Sequence, residues 1–122
     1  MKRPESPLQI QSEAYSGRIE RLYRYLLNEK KEKNMASQIY RSGTSIGANI
    51  AESRYAQSGA DFISKLSIAL KEAGETEYWL GSIFRAGLID QKGYDSMLAD
   101  NTAIMKMLVS SIKTMKKKLG KE

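Results

Sequence analysis

Gln38-Ile39-Tyr40-Arg41-Ser42-Gly43-Thr44-Ser45-Ile46-Gly47-Ala48-Asn49-Ile50-Ala51-Glu52 decides the fold of this chain. Met35, Ile39, Ile46 and Ile50 keep the three- and four-residue spacing of a helix seam. At ~100° per residue, Arg41, Ser45, Asn49 and Glu52 fall together on the strip beside that seam. An ordinary solvent-facing helix places such residues opposite its apolar stripe. Placed beside it, they predict a buried network or an interface. The stretch Lys71-Glu72-Ala73-Gly74-Glu75-Thr76-Glu77-Tyr78-Trp79-Leu80 repeats the arrangement. Phe62, Leu66, Ala69, Ala73, Leu80 and Phe84 form its main stripe, and Ile68, Glu72, Glu75 and Trp79 lie on a second strip around the helix.

Punctuation on either side sets the remaining helices. Ser6 before Pro7 is an N-cap followed by proline at the first helical position, with Gln9 placed to complete a capping box. A helix over 7–28 follows, with Tyr15, Ile19, Leu22 and Leu26 on one face. The charged run Glu29-Lys30-Lys31-Glu32-Lys33 suits a turn, and Asn34 can cap a second helix over 35–55. Ser58 and Asp61 around Gly59 resemble a capping box opening a third helix over 59–86, with Gly87 closing it. Asp90 caps a fourth over 91–119, in which Leu98, Asn101, Met105, Leu108, Ile112, Met115 and Leu119 follow heptad-like spacing. Both prolines of the chain, Pro4 and Pro7, precede all of this. The expected fold is all-α, an antiparallel up-down-up-down four-helix bundle forming a single domain over 1–122.

With 122 residues the chain can bury a core without staples, and it contains neither cysteine nor histidine. No apolar run approaches the ~20 residues of a membrane span, and no apolar h-region follows Met1-Lys2-Arg3. A soluble cytoplasmic protein with no membrane partner is expected. The net charge is +6 and is carried by the ends, with eight basic and five acidic residues in 1–33 and seven and three in 91–122. The densest cluster is Lys113, Lys116, Lys117, Lys118 and Lys121. Lysines in a last helical turn also complement the helix dipole and aid solubility.

The two quoted segments resemble the signatures of the four-helix-bundle family named after proteins encoded in intervening sequences of bacterial 23S rRNA genes. In helix 2 the resemblance rests on Arg41, Ser45-Ile46 and Asn49-Ile50-Ala51-Glu52. In helix 3 it rests on Asp61-Phe62, Leu66, Ile68-Ala69, Glu72, Glu75 and Tyr78-Trp79-Leu80. The position after Glu52, commonly glycine in that family, is Ser53 here. The accessory proteins of diversity-generating retroelements are similar in fold. That likeness implies a pentameric ring whose basic face engages nucleic acid and a reverse transcriptase.

These residue types suit some chemistries and exclude others. Arg41 is expected to pair with Glu72 or Glu75, with Ser45, Asn49 and Glu52 completing the hydrogen bonds, because buried charge needs a partner. The alternative is that Asn49, Glu52, Glu72 and Glu75 line a ligand or cation pocket. Bundle di-metal sites pair glutamate with histidine, however, and none is present. No metal or cofactor is therefore expected. Gly43-Thr44-Ser45-Ile46-Gly47 satisfies the G-x-S-x-G pattern of hydrolases, but that chemistry needs a strand-to-helix turn and a base. Small residues that admit a neighbouring helix account better for Ser42, Gly43, Gly47 and Ala48. Trp79 beside Tyr78 implies either core packing at a helix end or an oligomer interface. The reading is a non-enzymatic homo-oligomer, pentameric by resemblance. It would bind nucleic acid, RNA first, through Arg18, Arg21, Arg24, Lys113, Lys116, Lys117, Lys118 and Lys121. A protein-binding adaptor is the alternative, and a serine hydrolase a remote one.

Overall fold

The computed structural model describes residues 6–120. Four helices follow one another: α1 (Pro7–Asn28), α2 (Asn34–Ser53), α3 (Gly59–Arg85) and α4 (Gln91–Lys118). Each packs on its neighbours in sequence, and α4 returns to close on α1. The short connections force successive helices antiparallel, so the molecule is an up-down-up-down bundle. One end gathers the start of α1, the end of α2, the start of α3 and the end of α4.

The caps explain where the helices begin. Ser6, Ser58 and Asp90 are extended, and their side chains accept hydrogen bonds from the N–H groups of Gln9, Asp61 and Gly93. Asp61 in turn accepts from the Gln57 N–H at 3.1 Å. Gln9 does not complete its box. Its side chain lies buried in the bundle and donates to Glu13 at 2.7 Å. Nor does Asn34 cap α2. Lys33 holds the cap position without a side-chain bond, and Glu32 accepts from the Met35 N–H at 2.9 Å instead. At the end of α3, Gly87 takes φ 74°, and the Leu88 N–H reaches the Ile83 carbonyl at 3.1 Å. This is the left-handed C-terminal motif that glycine permits.

The core is built from the inner stripe of each helix. Tyr15, Ile19 and Leu26 of α1 meet Ile39, Ile46 and Ile50 of α2, then Leu66, Ala69, Ala73 and Leu80 of α3. On α4 the seam follows the expected one at Asn101, Leu108, Ile112 and Met115 and runs one residue away from it at two points. Met97, Asn101, Ile104, Leu108, Ile112 and Met115 are buried, whereas Leu98 and Met105 lie on the flank and Leu119 is exposed. An apolar face wider than one seam allowed either register to be read. Asn101, fully buried, donates to the Ala73 carbonyl at 2.9 Å. Thr76 donates to Ser42 at 2.9 Å across the α2–α3 contact.

Two glycines of α2 let α1 approach closely. A Cβ added to Gly43 would stand 2.7 Å from the Ile19 side chain, and one added to Gly47 would stand 2.8 Å from the Ser16 hydroxyl. Gly43 and Gly47 thus admit α1, as the sequence suggested, whereas Ser42 faces α3 and Ala48 is exposed to solvent. Gly43→Ala favours the helix by about 1 kcal/mol in propensity but forces the fully buried Ile19 to move, at about 1–3 kcal/mol. A net loss of stability is expected, to be read by urea denaturation; a gain would show that Ile19 can shift freely.

Burial pushes the pKa of the Tyr15 phenol above its ordinary value, with the charge of Asp100 adding to the effect and that of Arg18 opposing it. The unfolded chain therefore loses this proton first, and stability falls as pH rises above about 10. The hydroxyl has no hydrogen-bond partner among the described residues. Tyr15→Phe is expected to cost less than about 1 kcal/mol at neutral pH and to flatten the alkaline loss, as followed by denaturation at a series of pH values.

Candidate functional site

The structure brings the polar strips of α2 and α3 to the two sides of one outer groove. Because the helices are antiparallel, each step down α2 is a step up α3. Arg41 stands opposite Glu75, with which it forms a hydrogen-bonded ion pair, and its other guanidinium nitrogen is 3.5 Å from Glu72. Farther along, Lys65 donates to Glu52 at 3.0 Å. The nearby carboxylate holds the Lys65 ammonium protonated to higher pH than usual, chiefly through that hydrogen bond. Trp79 lies half-buried toward the other end of the groove, its ring edge-on to Tyr78 with centroids 5.0 Å apart.

Two features differ from the buried network inferred from the sequence. The ion pairs are at the surface, with the Arg41 side chain 50% exposed. Ser45 and Asn49 take no part in them. The Ser45 hydroxyl donates to the Arg41 carbonyl at 2.6 Å, and the Asn49 amide donates to the Ser45 carbonyl at 2.9 Å. Both bonds stay within α2. The residue buried between the helices is Ser42, bonded to Thr76, one position along from Arg41 and Glu75. Ser53, where a glycine was expected, is buried as the last residue of α2 and donates to the Ile50 carbonyl at 2.6 Å.

The chemistry available in this groove is limited. Ser45 sits within a continuous helix, its proton directed at a carbonyl, which is the wrong geometry for a nucleophile elbow. Among the described residues no cluster of three or more candidate ligands could hold a metal ion. The groove is a ladder of opposite charges, suited to fixing helix register and meeting another polar surface.

The basic candidates separate into distinct places. Lys113, Lys116, Lys117 and Lys118 are exposed on the last turns of α4. Lys121 lies outside the described residues. Arg18 is not free: it pairs with Asp100 at 2.6 Å and donates to the Ser96 hydroxyl at 2.9 Å. From that pair, at ~1.5 Å per residue, Lys116 lies about 24 Å along α4 toward one end and Arg24 about 9 Å along α1 toward the other. The single face expected from Arg18, Arg21, Arg24 and the lysines is therefore divided. The helix direction that puts the two termini at one end also carries Arg21 and Arg24 away from it.

Comparison with known proteins agrees with this architecture. The family model described as 23S rRNA-intervening sequence protein matches residues 8–110. The chain belongs to the 23S rRNA-intervening sequence protein family. A crystal structure from Bacteroides thetaiotaomicron VPI-5482, described as a protein with unknown function from the S23 ribosomal protein family, superposes with a TM-score of 0.86. It is 54% identical, and the match covers 87% of this chain and 95% of that one. No curated protein matches. In this member of the 23S rRNA-intervening sequence family, the resemblance drawn from Arg41 to Glu52 and from Asp61 to Leu80 is thus confirmed at the level of family and fold.

Sequence reasoning did not name Lys65 as the partner of Glu52 or Asp100 as that of Arg18. Register could have found the first, since setting Arg41 against Glu75 brings Glu52 down to the level of Lys65. Surface ion pairs of this kind contribute less than about 1 kcal/mol. Arg41→Ala is accordingly expected to lower monomer stability by no more than that, and by less at high salt. Ser45→Ala is expected to stay within about 0.5 kcal/mol, because its bond is local to the helix. Thermal denaturation of both variants checks this, and a loss of several kcal/mol in either would restore a buried role.

Proposed function

We propose that the protein is a non-enzymatic, cytoplasmic, homo-oligomeric helical scaffold, pentameric as the family resemblance implies, that binds nucleic acid, RNA in particular. The observation that carries this reading is the lysine cluster at the end of α4. Lys113, Lys116, Lys117 and Lys118 are all exposed, and none has an ion-pair partner among the described residues. Cations held on a rigid helix and left unneutralised attract phosphates, and assembly repeats the cluster around the oligomer. Arg24, exposed toward the opposite end, offers a second, weaker basic point. Arg18, occupied by Asp100, contributes little. No base-reading motif accompanies these cations, so recognition rests on shape and charge.

A protein-binding adaptor is the second reading. It is favoured by Tyr55 and Tyr78, which are 63% and 59% exposed. A hydrolase acting through Ser45 is disfavoured by the helical setting of its hydroxyl and by the lack of histidine in the chain.

Fluorescence anisotropy with a structured RNA and a DNA duplex, across a salt series, decides between the first two. Micromolar binding that weakens steeply with salt is expected. Replacing Lys113, Lys116, Lys117 and Lys118 with glutamate is expected to abolish it while leaving the solution mass unchanged, and milder neutralisation to glutamine is expected to flatten the salt slope by up to about four. Binding unaffected by these changes would remove the α4 cluster from the interface. Lack of binding even at low salt would favour the adaptor.

A further inference from the structure

The widened apolar face of α4 leaves a surface that the bundle itself does not use. Leu98, Thr102, Met105 and Val109 repeat the spacing of the buried seam one residue farther round the helix. With Leu70 of α3 they line two adjoining clefts of about 470 and 460 Å³ that share Thr102 and Lys106. Val109 is 41% exposed. The cleft beside Leu70 also carries Glu77 on its α3 wall and Lys106 on its α4 wall. Both are exposed, and neither has an ion-pair partner among the described residues.

A matching ridge lies on α1. Ile10, Ala14, Gly17 and Arg21 follow a four-three-four spacing on the side of α1 opposite its buried stripe of Ser12, Tyr15 and Ile19. Ile10 is 57% exposed, and Ala14 and Arg21 are exposed too. Ala14 and Gly17 make the middle of this ridge flat enough to enter a groove between two helices. A Cβ at Gly17 would meet only the Arg21 guanidinium, at 3.6 Å, so packing inside the monomer does not require the glycine.

We infer that the α3–α4 groove receives the outer face of α1 from a second copy of this chain. The inference rests on the homo-oligomeric reading above and assigns it a surface. Charge complementarity selects the occupant. Glu13 and Arg21 are about 12 Å apart along α1, and Glu77 stands about 10 Å along α3 from Leu70, which shares its cleft with Lys106. With the incoming α1 parallel to α3, Glu13 meets Lys106 and Arg21 meets Glu77. Ile10, Ala14 and Gly17 then cover Leu70, Met105 and Val109. The donating and receiving faces differ, so each copy offers both, and such head-to-tail contacts form a ring when the rotation between successive copies closes.

Solution mass by multi-angle light scattering tests this on the full chain. Wild type is expected to be an oligomer, and Gly17→Leu a folded monomer whose melting temperature is at least that of an isolated wild-type subunit, because leucine is the better helix former. Val109→Glu is expected to dissociate it as well. Glu77→Arg is expected to weaken assembly at least tenfold, and Arg21→Glu in the same chain to restore it. A monomeric wild type at tens of micromolar would overturn the homo-oligomeric reading itself. An oligomer that survives both Gly17→Leu and Val109→Glu would overturn this surface and leave that reading standing. Rescue of Glu77→Arg by Lys106→Glu instead would show the groove meeting its own copy and overturn α1 as the occupant.

Discussion

The contact on which the other helices depend is the seating of Ile19 against the backbone of Gly43. A fully buried branched side chain lies where a Cβ would have to be, so α1 and α2 pack closer than two ordinary helices could. That closeness sets the rotation of α2 about its own axis. Ser42 is thereby turned toward Thr76, and Arg41, one residue earlier, comes out at the rim opposite Glu75. The position of the polar ladder is thus a consequence of packing on the far side of α2. An interaction made by apolar and small residues aims a set of charged ones.

The groove and the lysine cluster use the rigidity of this frame in different ways. Along the groove, Arg41 and Lys65 offset two of the three carboxylates Glu52, Glu72 and Glu75, which leaves directional hydrogen-bonding groups and one carboxylate in excess. At the end of α4 the cations have no such partners among the described residues, and their field extends about a Debye length, ~8 Å, into physiological solution.

Much of the architecture was readable in the sequence because helix signals are local. Ser6, Ser58, Asp90 and Gly87 each declared a boundary, and each has the bond its chemistry implied. Asn34 misled because Glu32, two residues upstream, can reach the same turn, and a residue's own capping preference says nothing of a competitor. The α4 seam was read correctly at Asn101, Leu108, Ile112 and Met115 and one residue off at two positions, because Leu98 and Met105 are as apolar as Met97 and Ile104 and only the position of α3 decides which pair turns inward. The pairing of Arg41 with α3 could be anticipated from charge. Its exposure, and the turning of Ser45 and Asn49 back onto their own helix, depend on where the α2 and α3 backbones lie. The division of the basic residues also needed three dimensions, since α1 carries its arginines away from the end where α4 terminates.

The buried amide of Asn101 has an implication for assembly of the bundle during folding. Seams of leucine, isoleucine and methionine are nearly indifferent to a shift of one helix past another by seven residues, for each knob finds a similar hole. Asn101 is not indifferent, because only in the observed alignment does it reach the Ala73 carbonyl. A slipped arrangement that offered the Asn101 amide no acceptor would leave it as unpaired as its own carbonyl oxygen is in the observed one, at a cost of about 1–3 kcal/mol. One side chain therefore acts as the index mark by which α3 and α4 find their alignment, and it penalises misassembled bundles that the apolar residues alone would tolerate.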